Sequence, residues 1–262
     1  MRRAIELAQS VDLRADRNPH VGAVVVSPDG RVVGEGFHRG SGTAHAEVDA
    51  LAHAGSSARG ATVYCTLEPC SAHGVVGPCT HALIDAGVAR VVFGQTDPNP
   101  AMAGGAQVLR DAGIEVVEGD YASQCEALNQ TWTFAHRNHR PWVVWKAATS
   151  LDGYVADPQG RSKWITGEES RAMVQELRAS VGAVVTGTGT VLADNPHLTV
   201  RDAKHQPLRV VVGSRDVSTQ LNHLPAVQYP CDVTEAITRV WREHGVHRVL
   251  VEALRFAAGE ID

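Results

Sequence analysis

Strand-type and helix-type segments alternate in two successive runs along this 262-residue chain, and a polar, proline-closed stretch, His136-Arg137-Asn138-His139-Arg140-Pro141, parts them. That pattern restricts the fold to two consecutive α/β domains, over residues 1–138 and 141–262. In the first run Ala4, Ala8, Val11 and Ala15 share one helical stripe. Val21–Val26 and Arg31–Gly36 flank Ser27-Pro28-Asp29-Gly30, a tetrapeptide suited to a hairpin turn. A helix is expected over His45–Ala54, a strand over Ala61–Thr66, and a helix opened by Pro78 and stopped by Gly87. Strands at Arg90–Gly94 and Ile114–Val117 bracket a helix at Gly104–Ala112, and one last helix runs from Ala122 to about Arg137. The second run predicts strands at Trp142–Ala147, Val181–Thr186, Leu208–Val212 and His247–Val251. Its helices are Thr166–Ser180, started by Thr166 with Glu168 and Glu169 in the first turn, and Thr234–His244. No internal repeat is visible.

Composition narrows the function classes. Apolar residues make up 44% and charged residues 20%, which suits a packed globular protein. The formal charge of −5 argues against a bulk electrostatic grip on nucleic acid. No stretch approaches a membrane span, and the amphipathic opening Met1–Ser10 lacks the apolar core of a signal peptide. The expected address is therefore the cytoplasm. The five cysteines, Cys65, Cys70, Cys79, Cys125 and Cys231, are too few and odd in number for a disulfide framework; reduced thiols and a metal suit the count better.

His45-Ala46-Glu47, followed by Pro69-Cys70 and by Cys79, is the most informative constellation. Zinc takes nitrogen and thiolate donors, and a catalytic zinc keeps a fourth position for water. One histidine and two cysteines supply three ligands, and a nearby non-ligand glutamate can relay protons. This ordering is the signature of zinc nucleobase deaminases. The plainer alternative is that thirteen histidines make a chance His-x-Glu cheap and that free cysteines are common core residues. Two placements favour zinc: Glu68-Pro69-Cys70 directly follows a strand, and Cys79 opens a helix, whose dipole favours a thiolate.

The cysteine spacing is Cys-x8-Cys rather than Cys-x2-Cys, and with that insertion the first half resembles the deaminase domain of the bacterial bifunctional riboflavin-biosynthesis deaminase/reductases. The resemblance runs through Asn18-Pro19-His20-Val21-Gly22-Ala23, Gly36-Phe37-His38, His45-Ala46-Glu47, Thr66-Leu67-Glu68-Pro69-Cys70 and Asp97-Pro98-Asn99-Pro100. It implies a cytidine-deaminase-like three-layer domain with His45, Cys70 and Cys79 on Zn2+ and Glu47 as proton carrier. Asn18, His38, Asp97 and Asn99 match positions on the pyrimidine or phosphoribosyl side, each with a turn or cap role as the alternative. Between the cysteines the family pattern is kept in length but altered, with His73 displaced by one place and Val76-Gly77 where Thr-Pro is usual.

In the second half, Lys146 to Gly153 reads as a strand entering a polar turn, and Thr186-Gly187-Thr188-Gly189-Thr190 as small residues that let a phosphate approach the backbone. On residue type alone, a plain turn fits that segment equally well. Lys146 with Ser150-Leu151-Asp152-Gly153, Ser162-Lys163-Trp164-Ile165-Thr166, Gly187 through Pro196, and Leu198-Thr199-Val200-Arg201 resemble the reductase domain of the same family. The resemblance implies a dihydrofolate-reductase-like α/β fold using NADPH. By matching position Ala148, Trp164, Thr190, Asp194 and Ser214 are cofactor contacts. Ser162, Arg178, Leu198, Arg201 and Glu252 are substrate contacts, and Lys146 is a candidate to polarise the opened sugar. Arginine forks suit a phosphorylated substrate. After Glu252 the family pattern Glu-Gly-Gly-Pro is replaced by Ala253-Leu254-Arg255-Phe256, so a shortened reductase half is an expectation.

The reading is therefore an enzyme of riboflavin biosynthesis that deaminates a small phosphorylated aminopyrimidine and then reduces its ribosyl group, without nucleic-acid or membrane partners. The resemblance implies a homodimer or homotetramer through the reductase half. Two rivals stand beside it: a zinc deaminase of tRNA or free nucleosides, and a deaminase whose degenerate second half serves dimerisation.

Overall fold

In this computed structural model, residues 1–72, 77–159, 161–162, 164–203 and 205–252 are described. The altered stretch at 73–76, Lys163 and the departure after Glu252 lie outside them. The chain divides into two compact units, Met1–Arg137 and Asn138–Asp262.

The first unit is built on a five-stranded sheet in the order β2-β1-β3-β4-β5. Strands β1 (Gly22–Val26) and β2 (Val32–Phe37) form the expected hairpin, with Gly30 at φ 84° in its turn. Strand β3 (Thr62–Leu67) runs antiparallel to β1, and β4 (Arg90–Gln95) and β5 (Glu115–Glu118) follow it in parallel. Ala23, Val25, Val63, Cys65, Val91 and Phe93 face α2 (Ala46–Ala54), α3 (Cys79–Ala86) and α4 (Gly105–Asp111) in the main core. On the opposite face Val24 packs on Ala4 and Leu7 of α1 (Arg2–Gln9), and Gly94 of β4 lies under Cys125 of α5 (Ala122–Leu128). The result is three layers.

Glycine allows α2 to sit directly on β2. A Cβ on Gly34 would fall 2.2 Å from the Ala50 carbonyl oxygen, and one on Gly36 would fall 2.3 Å from the Ala50 nitrogen. Backbone thus touches backbone, and the helix start carrying His45 and Glu47 is held at a fixed height over the sheet.

The second unit is a parallel sheet in the order β6-β10-β7-β8-β9, from β6 (Trp142–Trp145), β7 (Ala183–Gly187), β8 (Leu208–Val212), β9 (Val227–Tyr229) and β10 (Arg248–Val251). Its strands are short valine-rich runs, as a sheet covered on both faces requires. Ala183, Val185, Val210 and Val249 pack on α9 (Val233–His244). Val184, Val211 and Leu250 form the other core with Val191 of α8 (Thr188–Asp194) and Leu177 of α7 (Glu168–Ala179). Among the described residues no helix is long and apolar enough to cross a membrane.

Several expectations shift. The first helix ends at Gln9, leaving Val11 and Ala15 outside it. The helix expected from Ala122 to Arg137 is two, α5 and α6 (Gln130–Asn138), because buried Asn129 between them pairs its amide with both backbone groups of His20. Gly167, not Thr166, precedes α7. The Gly-Thr segment is not a loop: Gly187 ends β7 and Thr188 begins α8. Strand β9 was not expected at all; three residues give too short a period to read.

Gly36→Ala is expected to destabilise the first unit by about 1–3 kcal/mol through overpacking against α2, read as a lower urea midpoint at unchanged slope.

Candidate metal centre and strand-end residues

Three donor atoms converge at the N-terminal ends of two helices. His45 is the N-cap residue of α2, Cys79 is the first residue of α3 after Pro78, and Cys70 lies three residues beyond the end of β3. Their donor atoms all lie within 4.8 Å of one another. His45 Nδ1 is 3.2 Å from Cys79 Sγ and 3.6 Å from Cys70 Sγ, and the Cys79 backbone N–H donates to Cys70 Sγ at 3.3 Å. Both cysteines are buried. Hydrogen bonds from Cys79 and then His45 draw the Cys70 thiol well below the ordinary thiol range. Cys79, which donates to Cys70, is held above the ordinary thiol value. One half-buried imidazole and two buried sulfurs, with a thiolate already favoured, fit a tetrahedral zinc with three protein ligands.

Glu47 stands in the first turn of α2, two residues after His45 and only 3% exposed. Burial pushes its carboxyl up to about 7, against the opposing charge of His45.

Asn18 and His38 come together. Buried His38 is kept neutral by desolvation; its Nδ1–H donates to the Ala44 carbonyl at 3.0 Å, and its Nε2 accepts from the Asn18 amide at 2.9 Å. The pair therefore ends on the residue next to His45. Asp97 is buried, and desolvation pushes its carboxyl up to about 7, with Glu68, Cys70 and Glu47 adding to the effect. Its Oδ1 accepts the Asn99 N–H, and Asn99 Oδ1 accepts the Ala101 N–H, so Asn99 holds a turn. Glu68 enters the sequence reading only as part of the Thr66–Cys70 motif, with no role of its own. It is 4% exposed and accepts backbone N–H bonds from Asp97, Gly104 and Ala106. Nothing in the order of residues announces that role, because its partners lie 29 to 38 positions away.

In the second unit Lys146 and Ala148 follow β6, Thr190 lies in α8 just after β7, Ser214 follows β8 and Glu252 follows β10. All five sit beyond the carboxyl ends of parallel strands, where open α/β sheets bind ligands. Asp194 is the last residue of α8. Trp164 is 71% exposed, with the Arg171 guanidinium 4.6 Å above its ring. Ser162 is half-buried. Arg178 and Glu252 are brought together as a two-pronged ion pair, Nε–Oε1 2.6 Å and Nη2–Oε2 2.9 Å, and Arg178 Nη1 also donates to the Thr199 carbonyl. Leu198 is not a surface contact: its side chain is core, at 2% exposure, and its φ is 55°. Arg201 is exposed, and its backbone N–H donates to Gln175 Oε1 at 3.0 Å.

Two family profiles match the chain: the cytidine and deoxycytidylate deaminase zinc-binding region over residues 1–95, and the RibD C-terminal domain over residues 141–252. The chain is 44% identical to the riboflavin biosynthesis protein RibD of Escherichia coli over 93% of its own length and 71% of that protein. It is 47% identical to RibD of Actinobacillus pleuropneumoniae, covering 82% of itself and 57% of that relative. It is similar to the solved structure of Acinetobacter baumannii RibD, with 39% identity and a TM-score of 0.83 over 96% of this chain and 79% of that one. It is also similar to a diaminohydroxyphosphoribosylaminopyrimidine deaminase/5-amino-6-(5-phosphoribosylamino)uracil reductase from Thermotoga maritima, with 39% identity and a TM-score of 0.77 over 96% of this chain and 79% of that one.

Arg178→Met is expected to lower the stability of the second unit by about 3 kcal/mol, because it leaves the largely buried Glu252 carboxylate unpaired. Arg178→Met combined with Glu252→Met should regain most of that loss in urea unfolding. A single variant as stable as the parent refutes the structural weight of the pair.

Proposed function

The chain belongs to the RibD family of riboflavin biosynthesis proteins, and on that premise we propose that its first unit hydrolytically deaminates 2,5-diamino-6-(5-phosphoribosylamino)pyrimidin-4(3H)-one and its second reduces 5-amino-6-(5-phosphoribosylamino)uracil to the ribityl product. The observation that carries the first activity is the His45–Cys70–Cys79 cluster with buried Glu47 beside it. These three residues would hold zinc, which when bound supplies the Lewis acidity that makes water a nucleophile near neutral pH. Glu47 does the proton work. A carboxyl pushed up to about 7 both accepts a proton from water and gives one to the departing amino nitrogen near neutral pH. Asn18, His38, Asp97 and Asn99 orient the aminopyrimidine, with Asn18 and His38 acting as one hydrogen-bonded pair.

In the second unit Ala148, Trp164, Thr190, Asp194 and Ser214 would hold NADPH, whose chemistry is hydride donation. Ser162, Arg178, Leu198, Arg201 and Glu252 take the substrate, Leu198 through its main chain. Arg201 is the stronger phosphate candidate of the two arginines, because the Arg178 fork is already committed to Glu252. Lys146 is assigned to polarising the opened sugar. Assembly as a homodimer or homotetramer through the second unit, in the cytoplasm, completes the proposal.

Glu47→Gln should keep about one zinc per chain by metal analysis and lose ammonia release, since an amide accepts no proton from water. Retained turnover removes Glu47 from the proton path, and absence of zinc from fresh, unchelated parent protein removes the metal assignment. Cys70→Ser should abolish deamination while NADPH consumption with already deaminated substrate stays near the parent value, because the proposed ligands and the proposed reductase contacts lie in different units. Loss of both activities in a folded Cys70→Ser protein overturns the separate assignment.

A further inference from the structure

Glu68 is a buried carboxylate, and none of the described cations pairs with it. Its own N–H donates to the Gln95 carbonyl at 2.8 Å, carrying the β3–β4 pairing one residue past Leu67. The side chain then turns into the protein. Oε2 accepts from the Asp97 N–H at 3.1 Å, and Oε1 accepts from the Gly104 and Ala106 N–H groups at 3.2 and 3.0 Å. A carboxylate hidden from water is tolerated only where donors replace its hydration, and here three backbone amides do so.

Those amides belong to one loop, running from the end of β4 to the start of α4. The loop is closed on itself and on the chain around Cys70. Asp97 Oδ1 takes the Asn99 N–H, and the Asn99 carbonyl takes the Met102 and Ala103 N–H groups. The Ser71 N–H donates to the Met102 carbonyl at 3.0 Å, and Ser71 Oγ to the Ala103 carbonyl at 2.6 Å. Gly105 is pressed so close that a Cβ there would fall 1.7 Å from the Pro69 carbonyl oxygen. The loop that carries Asp97 is thereby fastened to the residues on either side of Cys70.

We propose that Glu68 is the positioning residue of the pyrimidine site: by binding the Asp97, Gly104 and Ala106 amides at once, it sets the place of the Asp97 carboxyl beside the metal centre. This rests on the reading of Asp97 as a substrate contact. Glu68 itself touches neither substrate nor metal. Removing it lets the loop drift and misplaces Asp97, whose own side chain is unchanged.

The experiment is a double-mutant cycle in the full chain, with steady-state deamination of 2,5-diamino-6-(5-phosphoribosylamino)pyrimidin-4(3H)-one followed by ammonia release. Glu68→Gln keeps the shape but turns an NH2 group towards a backbone N–H. It should raise KM by about 10–100-fold with a smaller change in kcat, as misplacement of a binding group does. Asp97→Asn should give the same split, and the double variant should be no worse than Asp97→Asn alone. Zinc content and the visible spectrum of the cobalt-substituted protein should match the parent in all three. Effects of the two changes that multiply, an unchanged KM in Glu68→Gln, or an altered cobalt spectrum each overturn the positioning role. An Asp97→Asn variant with the parent KM removes the substrate contact itself, a separate failure that takes the positioning role with it. If Glu68→Gln does not fold, Ser71→Ala loosens the same loop at the Ala103 carbonyl. It should raise KM by a smaller factor with kcat held, and an unchanged KM there refutes the proposal.

Discussion

The metal centre depends on a contact made entirely of backbone. Because Gly34 and Gly36 carry no side chain, α2 lies on β2 closely enough that Ala50 fills the space where a Cβ would stand. That fixes the height of the helix, and with it the N-cap position occupied by His45. Strand β3, on the far side of β1, ends at Leu67, so Cys70 arrives from the sheet side, and Pro78 sets Cys79 at the first turn of α3. Three donors from three separate stretches then meet, one at a helix N-cap, one in the first turn of a helix and one just past a strand end. Helix N-termini on two sides lend their partial positive charge to the sulfurs.

The second unit positions its residues by a different constraint, the parallel register of five strands. With β10 inserted between β6 and β7, the segments after β6, β10 and β7 emerge side by side. Glu252 is tied into this edge by its backbone, its N–H on the Val185 carbonyl and its carbonyl on the Thr186 hydroxyl. The Arg178 fork then fastens α7 to the same point. With so little exposure, this ion pair ties α7 to the end of β10, and it brings face to face two residues that the family pattern assigns to substrate.

What could be read from the order of residues was what depends on near neighbours. The hairpin at Ser27–Gly30, the Pro78 start and Gly87 stop of α3, and the valine-rich strands all follow from local chemistry. So do the donor types at His45, Cys70 and Cys79, once a strand and a helix start are placed before the cysteines. What escaped depends on partners far along the chain. Asn129 breaks a helix because His20 requires both its donor and its acceptor, and Glu68 matters because of amides beyond residue 96. In α8 the Gly-Thr composition argued for a loop, yet Val191 is buried against Val184 and Val211, and that burial outweighs weak helix propensity. Leu198 shows the same limit: its match to a contact position was legible, whereas its burial in the core was not.

Near the metal centre three carboxyl groups are hidden from water, and their surroundings divide the work among them. Glu68 receives three backbone N–H bonds and no described cation, so its acceptor capacity is used in holding a loop. Asp97 gives one oxygen to the Asn99 N–H and is otherwise surrounded by acidic neighbours and Cys70, so burial dominates and its carboxyl rises to about 7. Glu47 lies beside His45, whose charge pulls in the opposite direction, yet its complete burial still lifts it to about 7. Three backbone amides on one carboxyl make an anchor; burial with few donors raises a carboxyl towards neutrality, as at Glu47 and Asp97. The same side-chain chemistry thus yields a loop tie at Glu68 and, at Glu47, a buried carboxyl suited to the proposed proton transfer.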